Sequence, residues 1–169
     1  MPKAVRVSVL VNPANGPIAE TTLREVQEAA RVIGLQIHVL NASTSREIDA
    51  AFATFGRERP DALFVTGDGF FTDRRVHIAN LAARDRIPAA YGDREIVAAG
   101  GLISYATNVA DSFHHVGLYT GQILKGAKPA DLPVAQATKF EFVINLQTAK
   151  TIGLTVPPTL LATADEVIE

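Results

Sequence analysis

The 169-residue sequence contains no cysteine. That absence excludes disulfides, thiolate zinc sites and a cysteine nucleophile. It leaves the compartment open, since thiols are dispensable on either side of a membrane. No apolar run is long enough to span a bilayer. No charge of one sign dominates: 16 Lys plus Arg face 18 Asp plus Glu, for a net charge of -2. A nucleic-acid binder would carry a basic stripe, so nucleic acid is not expected as a partner. Long charge runs, internal repeats and low-complexity tracts are missing as well. The first residues, Met1 to Arg6, lead straight into a strand pattern and show neither a leader-length apolar stretch nor a cleavage site. From the sequence alone the expectation is a chain kept in the cytoplasm, or a piece of a longer secreted precursor.

Catalytic signatures are equally scarce. His114 and His115 are neighbours, which on a helix point about 100° apart. His38 and His77 lie far from them in sequence, and no H-x-x-x-H or H-E-x-x-H occurs, so no metal site and no cofactor are expected. There is no G-x-S-x-G elbow, P-loop or G-x-G-x-x-G fingerprint. The expected class is a binding protein and not an enzyme.

What the sequence does hold is apolar: 47% of residues are hydrophobic and only 20% charged, enough for a packed core. Strand and helix patterns alternate. Val5–Val11, Leu35–Leu40, Asp61–Val65, Ile87–Tyr91, Leu102–Tyr105 and Phe140–Asn145 read as strands. Helices are expected over Glu20–Ile33, after a capping box at Thr44 and Glu47, and over Asp73–Arg86, Asp93–Ala99, Asp111–Leu124 and Gln147–Ile152. Their predicted inward residues include Leu23, Val26, Ala30 and Ile33, then Ile48, Ala51, Phe52 and Phe55, then Val76, Ala79, Leu81 and Ala82, then Phe113, Val116 and Ile123. Gly34 is a candidate C-cap, and Ala127–Thr138 reads as a linker. Such alternation with short loops implies an α/β sandwich around a mostly parallel sheet, covered on both faces.

Ligands of parallel sheets sit at the C-terminal ends of the strands. The loops there supply the candidate site. Asn12 and Asn15 precede a helix N-terminus that can hold a carboxylate or hydroxyl, although asparagine is also common in turns for local reasons. Gly67 and Gly69 let backbone approach a ligand, Asp68 between them can pair with an ammonium group, and Phe70, with Phe71, can form an apolar wall. Tyr91 ends one strand and can stack on a ligand; Tyr105 ends another.

Four stretches share a further property. They are Val9–Pro13, Ala98–Tyr105, Gly117–Val134 (with Ile123-Leu124-Lys125-Gly126-Ala127-Lys128-Pro129-Ala130-Asp131-Leu132-Pro133-Val134) and Phe140–Leu154 (with Phe142-Val143-Ile144-Asn145-Leu146-Gln147-Thr148-Ala149-Lys150-Thr151-Ile152-Gly153-Leu154). In order and wording they resemble the ABC transporter substrate-binding family that includes bacterial tryptophan and tyrosine uptake proteins. The resemblance covers essentially the whole chain and implies a three-layer lobe like that of type I periplasmic binding proteins. It implies a small solute such as an aromatic amino acid, an ABC permease as the partner of a full-length form, and work in the periplasm. It also implies that the chain corresponds to the C-terminal part of such a protein, without most of the first lobe. On that reading 1–108 is the ligand-binding lobe, 109–138 a crossover helix and linker that pack on a first lobe, and 139–169 a C-terminal strand with helices. A homodimer through the 111–124 helix is then expected, because its apolar side otherwise faces water. The competing expectation is a truncated, self-associating domain with a regulatory or structural role. A receiver-like domain is disfavoured because Asn12-Pro13, not clustered acids, follows the first strand.

Overall fold

The computed structural model describes residues 4–136 and 138–169. Seven strands form one sheet in the order β2-β1-β3-β4-β5-β6-β7. They are β1 (Arg6–Val11), β2 (Gln36–Asn41), β3 (Ala62–Val65), β4 (Ala89–Tyr91), β5 (Ile103–Thr107), β6 (Phe140–Asn145) and β7 (Glu166–Ile168). Neighbours among β1 to β5 run parallel. β6 is antiparallel to β5, with Ile103 opposite Ile144 and Thr107 opposite Phe140, and β7 follows β6 in parallel. The strands of residues 139–169 therefore extend the same sheet as those of 1–108.

The helices are α1 (Gly16–Ile33), α2 (Ser45–Thr54), α3 (Gly69–Asp73), α4 (Arg75–Arg84), α5 (Arg94–Ala98), α6 (Val109–Leu124), α7 (Leu146–Thr151) and α8 (Pro158–Leu161). The step from β1 to β2 goes one way along the sheet and the step from β2 to β3 the other. Right-handed crossovers then put α1 on one face and α2, α4 and α5 on the opposite face. The core lies under the second group. Ile48, Phe52 and Phe55 from the α2 region, Ile78 and Leu81 from α4, and Ile96 and Val97 from α5 pack on Leu10, Leu63, Val65 and Tyr91.

Local chemistry sets several boundaries. Thr44 and Glu47 form the expected capping box, with Thr44 Oγ1 accepting from Glu47 N–H at 3.2 Å and Glu47 accepting from Thr44 N–H at 2.9 Å. Gly34 ends α1 in the left-handed region at φ 75°, where a Cβ would be strained. α1 starts four residues before the expected Glu20, because Pro17 fits the first helical turn. The helix expected over Asp73–Arg86 is α4, and an unexpected short helix, α3, precedes it. Asp68 accepts a hydrogen bond from Phe70 N–H and starts α3 early, and the chain breaks at Arg74 before α4. β7 was not expected, since three residues carry too little periodicity to register.

Burial departs from the predicted helix faces in places. Ile33 is 67% and Val76 55% exposed, against the inward expectation. A helical period fixes which residues share a face, not which neighbour reaches over that face. The largest departure is α6. Phe113, Val116 and Ile123 are 69%, 58% and 41% exposed, and no residue of this helix is buried.

Candidate functional site

The C-terminal strand ends lie level. Val11 pairs with Asn41, Leu10 with Val65, and Val65 with Tyr91, so the loops leaving β1, β2, β3 and β4 converge on one edge. Asn12 is buried there. Its Oδ1 accepts from Ala14 N–H at 3.1 Å and from the Ser43 hydroxyl at 2.9 Å, and its amide donates to Asp68 Oδ1 at 3.1 Å. Asn15 donates to Asp68 Oδ2 at 2.6 Å, and Phe70 N–H donates to Oδ1 at 2.8 Å. Asp68 thus gathers three N–H donors from two loops, and a carboxylate has room for about one more.

Asn15 stands at the N-cap position of α1 and makes no capping hydrogen bond to that helix. Its amide is drawn to Asp68 instead. Gly16 N–H donates to Pro13 O and Pro17 has no N–H, so the first turn of α1 presents few free donors, although it is the positive end of the helix dipole.

Gly67 and Gly92 bring the loops after β3 and β4 into backbone contact. A Cβ on Gly92 would fall 2.4 Å from Gly67 N, and one on Gly67 would fall 3.0 Å from Gly92 O. Only glycine fits at Gly92, and a side chain at Gly67 would force the neighbouring backbone to give. The same two loops are joined through Thr72, whose hydroxyl donates to Asp93 Oδ2 at 2.5 Å, while Asp93 caps α5 by accepting from Glu95 N–H. Gly69 meets no such crowding and simply opens α3.

Phe70 is half-buried and one face of its ring is occupied. The Arg74 guanidinium lies 3.8 Å from the ring centroid, donates to Phe70 O at 3.0 Å and to Ser45 Oγ at 3.0 Å. Arg74 was not among the expected site residues. Its spacing four residues after an aromatic was the available signal. Ser43, Thr72 and Asp93 likewise joined the edge only once the loops were placed side by side.

Tyr91 requires a correction. Expected to stack on a ligand, it is 1% exposed and points into the core, against Gly101, where a Cβ would fall 2.6 Å from its ring. β4 is three residues long, and Tyr91 shares the face that α5 covers. Burial pushes its ionisation upward, and its hydroxyl has no protein hydrogen-bond partner. Tyr105 is exposed, as a surface role demands, but it stands apart from the Asn12–Asp68 group. β4 ends opposite Ser104, so beyond that point β5 and β6 continue as a two-stranded ribbon. On it Tyr105 stacks on Phe140, with centroids 5.6 Å apart and planes at 10°, and meets Phe142 edge-on.

The root of this ribbon is held by charge. Arg94 reaches Glu141 at 3.1 Å and Glu166 at 2.7 Å, and the Asn108 amide donates to the other oxygen of Glu141. Asn108 also caps α6 by accepting from Asp111 N–H at 2.8 Å. Among the described residues no cluster of three or more His, Cys, Asp or Glu is placed to hold a metal ion. The polar groups fasten loops to one another and leave a helix N-terminus, an aromatic ring and a guanidinium on an open edge.

The fold is that of an α/β lobe of the periplasmic-binding-protein type. The family model described as ABC transporter substrate binding protein matches residues 1–168, so the chain belongs to that family. A curated relative, the tyrosine-binding protein of Clostridioides difficile (strain R20291), is 23% identical over 155 residues, or 90% of this chain and 44% of the relative. Among solved structures, an ABC domain from Streptococcus pneumonia in complex with L-Trp superposes with a TM-score of 0.88 at 26% identity. It covers 99% of this chain, and 56% of that chain is covered in return. A conserved domain protein from Vibrio cholerae shares the fold at a TM-score of 0.87 and 23% identity, again over 99% of this chain and 56% of that one. The chain therefore spans about half the length of the relatives it matches.

Proposed function

We propose that the chain is the solute-binding element of an ABC-type uptake system and that its solute is an amino acid with an aromatic side chain. One observation carries the reading: Asn15 gives its amide to Asp68 and leaves the N-terminus of α1 uncapped at the edge where four loops meet. The positive end of the helix dipole suits a carboxylate. Arg74, fixed over Phe70, offers a cation for the same group. The last acceptor position on Asp68 suits an ammonium group, and Phe70 supplies apolar surface. The L-Trp complex and the tyrosine-binding relative support an aromatic amino acid as the ligand class. In this proposal delivery is to an ABC permease, and the place of work is the periplasm.

Thermal unfolding with millimolar L-Trp, L-Tyr, L-Ala and tryptamine tests the reading. A ligand bound only by the folded state raises Tm, by the equivalent of about 2.7 kcal/mol at a hundredfold excess over Kd. L-Trp or L-Tyr should shift Tm, tryptamine (which lacks the carboxylate) should not, and Arg74→Ala should shrink the shift. Equal shifts with L-Trp and tryptamine, or none with any compound, would remove the proposal.

A further inference from the structure

The opposite end of the sheet carries a hollow that the strand-end edge does not use. The segments entering β3 and β4 meet there, past the C-terminal ends of α2 and α4, around about 450 Å³ of space. Phe52 and Phe55 line its buried side, and Arg59, Arg84 and Arg86 stand exposed around it. Arg86 has φ 50° and is, among the described residues, the one residue other than glycine in the left-handed region. It closes α4: its N–H donates to Ala83 O at 3.1 Å, and Ile87 N–H donates to Ala82 O at 2.9 Å. Glycine or asparagine is favoured at such a position, and a residue with a Cβ costs stability there. Closing the helix therefore does not explain an arginine. Nor are the arginines needed to satisfy the helix ends. Leu81, Ala82 and Ala83 O accept from backbone N–H groups at the end of α4, as Phe52 and Thr54 O do at the end of α2.

We infer that this hollow is a second ligand site, which takes a phosphate group, free or carried by a small molecule, between Arg59 and Arg86. Arg59 Nη2 donates to Arg86 O at 2.9 Å, so the two residues are fixed side by side. That bond leaves most of the guanidinium donors of Arg59 unused. Arg84 is already neutralised, since its Nε and Nη2 donate to the two oxygens of Asp85 at 2.7 and 2.8 Å. Among the described residues Arg59 and Arg86 pair with no carboxylate. Glu58, next to Arg59 in sequence, lines the adjoining hollows beside His38 instead. A lone carboxylate fills one guanidinium fork. Two uncommitted forks suit the several oxygens of a phosphate and its charge of about −1.5 to −2 at neutral pH. The ends of α2 and α4 oppose an anion, but with only about half a charge each, against a full charge on each guanidinium. The strand-end edge lies at the other end of the strands, so this site stands or falls independently of the proposed solute.

Thermal unfolding in millimolar inorganic phosphate and phenyl phosphate, each against sodium chloride of the same ionic strength, tests the site. Both phosphates should raise Tm above the chloride reference, because only the folded state holds the two arginines together. Arg86→Gly is decisive because its two effects oppose each other. In chloride it should leave Tm unchanged or higher, since glycine adopts the left-handed region freely, and it should abolish the phosphate shift. Arg59→Gln should cut the shift by at least half. Arg57→Gln removes the same charge from an arginine that lines a neighbouring hollow, and it should keep the full shift. Arg74→Ala, at the other end of the sheet, should keep it too. In amide NMR, phosphate should first displace the signals of Gly56, Arg59 and residues 84–87. A larger Tm shift with phenyl phosphate assigns the site to a phosphate ester, and equal shifts assign it to free phosphate. No shift beyond chloride, a shift that survives Arg86→Gly, or a shift lost equally in Arg57→Gln would overturn the inference and make these arginines ordinary surface charge.

Discussion

At the scale of the residue, side chains that looked available are already engaged. Asp68 stood between two glycines at a strand end, which suits a ligand contact. The structure shows it holding Asn12, Asn15 and the Phe70 N–H. Tyr91 looked like a stacking platform and is a core residue. Both differences arise because a strand end is recognisable in sequence, but the direction of its last side chain depends on where the next helix lies. Tyr91→Phe tests the correction. The hydroxyl is buried without a protein partner, so its removal should leave stability unchanged or raise it by up to about 1 kcal/mol. Any ligand-induced shift should be the same in Tyr91→Phe and wild type, read by the same thermal unfolding. A weakened ligand response would return Tyr91 to the site.

At the scale of the element, patterns with a local cause were legible and those with a tertiary cause were not. The capping box at Thr44 and the glycine stop at Gly34 are short-range chemistry, and both appear as read. The break at Arg74 and the strand β7 depend on contacts with distant segments, for which the sequence holds no periodic signal. Element ends also carry the acid sensitivity. Glu47 is held below the usual carboxylate range by hydrogen bonds from the N–H groups of Ser43 and Thr44. Asp61 is lowered by the N–H groups of Arg6 and Val5, at 2.8 and 2.9 Å, where it fastens the start of β1. In the unfolded chain both titrate near pH 4, so there the unfolded state binds protons that the folded state refuses. Their stabilisation is present above that pH and is lost as pH falls through the folded values. Tm should therefore drop as pH is lowered below about 5, and Asp61→Asn should flatten part of that drop while lowering Tm at neutral pH. Unfolding curves across the acid range check both statements.

At the scale of the whole molecule, two regions differ in how they are held. The sheet with α2, α4 and α5 shares a continuous core, whereas α6 has no buried residue. Alternating strands and helices made the sheet foreseeable, and the apolar positions of α6 were legible too. Whether anything covers them is a property of what surrounds the helix, which no periodicity encodes. Hydrogen exchange should reflect this contrast. Amides of β1 and β3 should exchange only with global unfolding, while those of α6 should exchange faster. Exchange of α6 as slow as that of β1 would mean that the helix is as firmly held as the core.

The contact between Gly67 and Gly92 has a consequence for how such a lobe can change over generations. Where the two loops meet, Gly92 admits no side chain and Gly67 tolerates one only with strain, while Asn12 and Asn15 are restricted by their hydrogen bonds to Asp68. Variation is then channelled to neighbours that make no such closure, Phe70 and Gly69 foremost. In the proposed site, solute preference would then change through exchange of those few side chains.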